Sequence, residues 1–247
     1  TARKVENSAA FTRSCADLAV QWLRFHQDSQ PDGGVTAHVF FNRGRIRLSP
    51  SYPEVTGYII PSLFNYAKDF GKAEVYEAAI RAADFELPLQ DEEGWFPGGS
   101  VGEPRQPSVF NSGMIIHGLV RAYLETKQDK YLEAAQRASR WIRDCQESSG
   151  AWGRYNYLGM KRCYDTKVCE SLCEVDTAAG TKEYVNCVER NLEWVYRHQY
   201  PNGWFSNCDN SYLSNDSPLT HTLAYTTQGL LQCYHSLGDE KILKAAE

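Results

Sequence analysis

One short pattern occurs four times along this chain of 247 residues. An aromatic residue is followed five positions later by a glutamine, and then by a turn that contains glycine and usually tryptophan. The four glutamines are Gln27, Gln90, Gln146 and Gln199, with spacings of 63, 56 and 53 residues. A nearly constant spacing of this size is typical of one structural unit that is stacked repeatedly. The repeat therefore constrains the architecture before any individual residue is interpreted.

Two helical segments are predicted in each repeat, because apolar residues recur three and four positions apart between stretches with Gly, Pro or Asp. The predicted segments are 55–70, 73–89, 112–125, a helix capped by Asp129, 166–175, 184–198 and a further helix that ends near residue 237. The first segment of each pair carries fewer charged residues than the second. This difference predicts an inner layer of helices and a solvent-facing outer layer.

We therefore expect an all-α fold in which helical hairpins form an α/α toroid. A single domain would span residues 1–247, with about four hairpins and the start of a fifth at Asp239. This number is too small for a closed ring of six hairpins, so we expect an incomplete ring or a fragment. Additional repeats or an oligomeric partner would then cover the C-terminal edge.

Composition excludes several classes of function. A net charge of −5 and an isoelectric point near 5.7 argue against a nucleic-acid-binding protein, whose phosphate contacts need a basic surface. No apolar run is long enough to span a membrane, and the polar first residues do not resemble a secretory signal. The eight cysteines are scattered through predicted helices, which favours reduced, buried thiols and a cytoplasmic location.

One pair of cysteines has a spacing that a metal site could use. Cys169 and Cys173 are one helical turn apart and could share a metal, but no second cysteine pair stands at zinc-site spacing. We expect no metal and no cofactor.

The third repeat, with Trp141, Gln146 and Trp152, resembles the Gln-Trp repeat of triterpene cyclases, in which Gln caps helix ends and stacks on Trp. The acidic Asp-x-Asp-Asp motif of that family is absent, so the resemblance implies shared architecture only. Protein prenyltransferases are similar toroids with Asp, Cys and His on zinc. A match of Asp165, Cys169 and His221 to that zinc site is at odds with the spacing.

A closer resemblance extends over most of the chain. It rests on four segments, which are PEVTGYIIP (53–61), GWFPGG (94–99), PSVFNSG (107–113) and PLTHTLAYT (218–226). They resemble a family of bacterial and archaeal α/α-toroid proteins found with polysaccharide and lipopolysaccharide biosynthesis genes. More remotely, the fold is similar to polysaccharide lyases, glucuronyl epimerases and unsaturated-uronyl hydrolases. The resemblance implies a toroid and a carbohydrate role, and it transfers no catalytic residue.

Unusual polar residues follow the glycine turns, at or just before each inner helix. They are Tyr52, Glu54, Asn111, Tyr164, Asp165, His221 and Tyr225. Positions that are equivalent by the repeat but chemically different predict a site assembled from several repeats. The alternative is that they cap or begin helices, which Asp165 before Thr166 would fit.

Two loops concentrate positive charge in an acidic protein. One holds Arg43, Arg45 and Arg47, whose alternation also fits an exposed hairpin strand with solvated charges. In the other, Arg154, Lys161 and Arg162 surround two tyrosines. Guanidinium groups suit carboxylates, and tyrosine rings offer flat faces to sugars. The predicted substrate-binding residues are Arg154, Tyr155, Tyr157, Arg162, Asn111, Trp95, Trp152, Trp204 and Tyr225.

The leading hypothesis is an epimerase, lyase or hydrolase that acts on an acidic, uronate-containing oligo- or polysaccharide. His221 is the candidate base, and Tyr52 or Tyr164 the candidate acid of an epimerase or lyase. Glu54 with Asp165 would serve a hydrolase. The rival is a non-catalytic toroid that binds a glycan or a partner protein within a polysaccharide biosynthesis system. A third hypothesis, isoprenoid chemistry, requires a cavity walled almost wholly by aromatic residues.

Overall fold

A computed structural model describes residues 9–210 and 219–247. Nine α-helices and one two-stranded sheet lie in these ranges. The helices are α1 (Ala9–Asp28), α2 (Pro53–Phe70), α3 (Ala73–Glu86), α4 (Val109–Thr126), α5 (Asp129–Asp144), α6 (Thr166–Ala179), α7 (Val185–Tyr196), α8 (Thr220–Leu237) and α9 (Glu240–Ala246). The antiparallel strands are β1 (Val39–Asn42) and β2 (Arg45–Leu48).

The helices form two layers, as the charge distribution predicts. Helices α2, α4, α6 and α8 pack side by side in that order, and α3, α5, α7 and α9 each pack against the inner helix that precedes them. Helix α6 is buried along its first eight residues, whereas α5 buries one apolar side and exposes its charges. The predicted all-α toroidal architecture is confirmed.

Glycine allows neighbouring inner helices to approach closely. A Cβ atom added at Gly57 on α2 would lie 2.7 Å from the Cα of Ile115 and 2.8 Å from the carbonyl oxygen of Met114 on α4. Because these contacts are with backbone, any side chain at residue 57 would push the two helices apart.

The repeated glutamine ties consecutive units together. The amide nitrogen of Gln90 donates to the carbonyl oxygens of Gly94, in its own turn, and of Ala134, in the next outer helix, at 2.9 and 2.8 Å. The other three glutamines make the same pair of bonds, with Gly33 and Ala78, Gly150 and Cys187, and Gly203 and Ala245. All four turn glycines have positive φ, between 84° and 105°, which explains why the pattern requires glycine.

Three tryptophans of the pattern, Trp22, Trp152 and Trp194, have defined contacts with groups other than these glutamines. Trp22 and Trp194 lie against histidines four residues later, with ring centroids 4.3 and 4.0 Å apart. The indole nitrogen of Trp152 donates to the carbonyl oxygen of Ile142 at 2.9 Å. The glutamine amides therefore bond to the backbone, and these three indoles contact a histidine ring or a backbone carbonyl oxygen.

The remaining predictions about local structure have different outcomes. All eight cysteines are free thiols and six are buried, including Cys169 and Cys173. The segment around residues 39–48 is the exposed hairpin that its alternation allowed. Asp129 is the first helical residue of α5 and not its cap, a position that Gln128 occupies. No helix within the described ranges is long and apolar enough to cross a membrane.

Candidate functional site

A cleft of about 580 Å³ opens at the N-terminal ends of the inner helices. Its lining comes from all four repeats. The residues are Tyr52, Glu54, Gly98, Gly99, Glu103, Pro104, Gln106, Pro107, Ser108, Phe110, Asn111, Tyr155, Asn156, Tyr157, Tyr164, Asn210, His221, Thr222 and Tyr225. Because the inner helices are parallel neighbours, their first turns meet at one rim. This packing brings residues as far apart in sequence as Tyr52 and Tyr225 into one cavity.

Glu54 and Tyr52 form the best-defined pair in the cleft. Pro53 begins α2, where its fixed φ suits the first helical position, so Tyr52 and Glu54 flank the helix start. The Tyr52 hydroxyl donates to Oε2 of Glu54 at 2.8 Å, and Nδ2 of Asn111 lies 3.5 Å from the same hydroxyl. Asn111 is in turn held by the Ser108 hydroxyl, which donates to Oδ1 at 2.8 Å.

Burial controls the protonation of this pair. It raises the pKa of Glu54 above the usual range of a carboxyl, although the hydrogen bond from Tyr52 acts in the opposite direction. Burial and the nearby Glu54 carboxyl also raise the pKa of Tyr52. A proton is therefore retained more readily on both groups than it would be in water.

One wall of the cleft is aromatic. Phe110 packs edge-to-face on Tyr164, with ring centroids 5.2 Å apart, and lies 5.8 Å from Tyr225. His221 packs edge-to-face on Tyr225 at 5.9 Å, and Tyr58 is hydrogen-bonded to the Tyr225 hydroxyl. Burial raises the pKa of Tyr164, so its hydroxyl remains protonated. These rings provide flat apolar faces next to hydrogen-bonding groups, which is the surface that sugar rings need.

Asp165 lies behind the cleft and not in it. Its carboxyl is fully buried, and Oδ2 accepts a 2.7 Å hydrogen bond from Nδ2 of Asn156, which does line the cleft. Burial raises the pKa of Asp165 to about 8, while Asn156 and Arg162 act to lower it. Asp165 occupies the N-cap position of α6, as the capping alternative predicts, but its side chain makes no capping hydrogen bond. A residue with no access to the cavity cannot be the direct partner of Glu54.

Several predicted binding residues lie outside the cleft. Trp152 and Arg162 are buried in the protein, Arg154 packs on the ring of Tyr155, and Trp95 lies under Arg105. Trp204 is exposed and is not part of the lining. Their proximity in sequence to the glycine turns does not decide the direction of their side chains. Asn111, Tyr155, Tyr157 and Tyr225 are the predicted binding residues that line the cavity.

Sequence reasoning missed Tyr58, Phe110 and Asn156. Tyr58 lies one helical turn after Glu54, and Phe110 precedes Asn111, so helical spacing and adjacency to a predicted site residue could have found both. Asn156 stands between the two predicted tyrosines, where a polar residue in an aromatic loop was the available signal.

The described lining contains no Lys or Arg and includes two carboxylates, Glu54 and Glu103. Lys161, expected at the rim, forms an ion pair with Glu147 at 2.7 Å. The lining also mixes polar side chains with aromatic ones, so it lacks the nearly complete aromatic wall that isoprenoid chemistry requires. Among the residues that the structure describes, the cleft is neutral to acidic.

A separate cluster of ionisable groups lies between α4 and α6, where His117 and Glu174 line another pocket. Nδ1 of His117 is 2.7 Å from Oε2 of Glu174, and Glu170 pairs with Lys167 at 2.5 Å. The two glutamates and His117 could together approach a metal ion, with ligand atoms within 4.8 Å of one another. Burial acts to lower the pKa of His117. The adjacent Glu174 carboxylate has the larger effect, so the pKa of His117 is raised, as in an ion pair.

Family membership follows from the sequence model of the β-L-arabinofuranosidase GH127 catalytic domain, which matches residues 55–247. The chain belongs to this family. The matched region of the GH127 chain begins in the first turn of α2 and contains α3 to α9. No curated protein matches the sequence.

Solved structures resemble the GH127 chain in fold. An unsaturated glucuronyl hydrolase specific for heparin superposes with a TM-score of 0.75 at 14% identity, covering 97% of this chain and 66% of that protein. A possible GH105 member from Salmonella enterica gives 0.69 at 14% identity, with coverages of 89% and 65%. A D-mannose isomerase gives 0.69 at 15% identity, with coverages of 92% and 64%.

The GH127 chain thus spans just under two thirds of the length of these structural relatives. The expected likeness to toroidal enzymes of glycan metabolism is confirmed. At such low identity the likeness concerns the fold.

Proposed function

We propose that the cleft is the active site of a glycoside hydrolase in which Glu54 is the general acid. The observation that supports this proposal is the environment of the Glu54 carboxyl group. It lines a cavity with aromatic walls, its pKa is raised by burial, and it is held by Tyr52 at 2.8 Å. A carboxyl group whose pKa is raised by burial holds its proton to a higher pH than a carboxyl group in water, and it can protonate the oxygen of a leaving sugar.

His221 supplies a second proton carrier, which comes from a different repeat. A neutral imidazole can deprotonate the water that attacks the anomeric carbon while Glu54 protonates the departing oxygen. The exposed side chain of His221 is open to solvent, from which that water would enter. Asn111 and Asn156 are placed to bind sugar hydroxyls, and the tyrosine rings to stack on the sugar.

The charge of the lining supports a neutral sugar rather than the uronate expected from the sequence. A carboxylate substrate would meet the carboxylate of Glu103, and no Lys or Arg among the described lining residues would compensate its charge. Like charges at short range disfavour binding. Arabinose, the sugar to which the family description refers, is uncharged.

The proposal is tested with chromogenic glycosides of neutral sugars, including β-L-arabinofuranoside, beside an unsaturated uronyl disaccharide. We expect turnover of a neutral glycoside, and a loss of about 10²–10⁴-fold in kcat for Glu54→Gln. Glu92→Gln, which removes an exposed carboxyl in a turn, is the matched control. Turnover of the uronyl substrate alone would refute the neutral-sugar assignment. Glycan binding without any turnover would favour the non-catalytic alternative.

A further inference from the structure

The β-hairpin at residues 39–48 is a projecting element that the cleft does not use. Its turn has positive φ at Arg43 (48°) and Gly44 (73°), the backbone of a tight two-residue hairpin turn. Its base is fixed by hydrogen bonds, since the hydroxyls of Thr36 and Ser49 lie 2.7 Å apart and Ser49 also accepts from the backbone of His38 at 3.1 Å. The strands therefore extend from a rigid attachment.

The two sides of the hairpin differ in chemistry. The register places Phe41 opposite Ile46, and these side chains are 80% and 63% exposed. The other side carries Phe40 opposite Arg47. Four large apolar residues, Val39, Phe40, Phe41 and Ile46, are exposed on a segment of ten residues. Such a concentration of apolar surface marks a binding surface or an aggregation hazard.

The charge of the hairpin opposes that of the protein. Arg43, Arg45 and Arg47 are all exposed, and no Asp or Glu occurs between residues 33 and 53. The whole chain carries a net charge of −5. This segment is therefore a local cationic patch, in which Phe41 and Ile46 lie on one face of the hairpin and Arg45 and Arg47 on the other.

The convex shape of the hairpin favours a lipid surface over a sugar or a peptide as its partner. Sugar and peptide sites are concave and surround their ligand, whereas Phe41 and Ile46 lie on a convex projection. The side chains of phenylalanine and isoleucine also have no group that could form hydrogen bonds with the hydroxyl groups of a sugar. An interfacial membrane anchor has this composition, in which apolar side chains enter the acyl boundary and arginines reach the lipid phosphates.

We propose that this hairpin docks the protein on an anionic lipid surface. Phe41 and Ile46 insert between the headgroups, and Arg43, Arg45 and Arg47 bind the phosphates around them. The cleft opens near the start of α2, only a few residues after the hairpin, so docking would hold the active site close to the membrane. Attachment would be peripheral and reversible, because one hairpin buries little apolar area.

The test is co-sedimentation of the 247-residue chain with vesicles of phosphatidylcholine, either alone or with phosphatidylglycerol. We expect binding to the anionic vesicles that weakens with salt, and little binding to the neutral ones. Each of Arg45→Gln and Arg47→Gln should weaken partition about fivefold, as expected for one basic residue near the surface. Arg197→Gln, an exposed arginine after α7, is the matched control and should bind as the parent does.

Phe41→Ser with Ile46→Ser should abolish binding without changing the melting temperature, since both side chains are exposed. Failure of the parent chain to bind anionic vesicles would overturn the proposal, as would binding that ignores these substitutions. A parent dimer that the double serine variant converts to a monomer would identify a second copy as the partner. Binding to polygalacturonate but not to vesicles would identify an acidic glycan.

Discussion

The hydroxyl of Tyr52 donates a 2.8 Å hydrogen bond to Oε2 of Glu54, across the first turn of α2. Proline at residue 53 begins the helix between them and fixes the backbone from which both side chains extend. The bond stabilises the ionised carboxylate, while burial favours the protonated acid. The balance between these two effects sets the pH at which Glu54 can donate its proton.

Replacing Tyr52 with phenylalanine should move this balance in a defined direction. Without the hydrogen bond, the pKa of Glu54 rises further, because the effect that lowers it is lost. An acid that must be protonated fails as the pH rises through its pKa, so the basic limb of kcat/KM should shift to higher pH in Tyr52→Phe. The pH profile of hydrolysis measures this shift. An unchanged limb, or the same shift in Tyr200→Phe at an exposed position, would contradict the role of Glu54.

Asp165 should make stability depend on pH. Its folded pKa of about 8 lies above that of the unfolded chain, so the neutral acid favours folding at low pH. This contribution diminishes above the unfolded pKa and is lost as the pH rises through about 8. Its slope is at most about 1.4 kcal/mol per pH unit. Asp165→Asn should keep a partner for Asn156 and flatten the decline between pH 5 and 8 in urea unfolding. Equal slopes in the two proteins would argue against a buried acid.

We expect the buried carboxyl group of Glu86 to reduce the free energy of unfolding. Its side chain is fully buried at the end of α3, and neither carboxyl oxygen has a hydrogen-bond partner among the described residues. Burial, with a smaller effect from Asp32, raises its pKa well above the usual value. Glu86→Leu should therefore increase the free energy of unfolding by about 1–3 kcal/mol at pH 7. Glu77→Leu, at an exposed position of the same helix, should give no such gain. A destabilised Glu86→Leu protein would reveal a partner for this carboxyl.

The contributions of two of the repeated glutamines to the free energy of unfolding can be compared within this protein. Gln90→Ala removes three hydrogen bonds at a half-buried site, two to backbone carbonyls and one from Arg137, and should cost about 2 kcal/mol of unfolding free energy. Gln199→Ala should cost less, because its bond to Gly203 is longer, at 3.3 Å, and exposed to solvent. Denaturant midpoints at constant slope provide the measurement. Similar losses at the two positions would show that the bond lengths do not determine the energy.

The sequence predicts the hairpins well because helical periodicity and turn chemistry are local properties. It also predicts that Tyr52, Glu54, Tyr164, Asp165 and His221 converge on one cavity, since equivalent positions of stacked units lie at one rim. All of them except Asp165 line the cleft. The start of α4 is less well predicted, at 112 instead of Val109, because the Ser108 cap that begins it accepts from the backbone of Asn111.

Local sequence patterns do not predict the direction in which a loop side chain points. Arg162 and Asp165 lie within two positions of Tyr164, and all three side chains are buried, yet Tyr164 lines the cleft and the other two do not. The short helical turn Cys163–Asp165 rotates successive side chains by about a third of a circle, so neighbours in sequence face different surroundings. The charge of the cleft follows from these rotations. That is why a count of nearby arginines suggested an anionic sugar and the lining does not.

Each glutamine tie also sets an order of events during synthesis. The amide of Gln27 needs the carbonyl oxygen of Ala78, which lies 51 residues later, and the other three ties span 41 to 46 residues. A unit emerging from the ribosome cannot complete its own turn until the outer helix of the following unit has been made. Folding is therefore expected to trail translation by one unit, with the most recent turn always unfinished and dependent on what is made next.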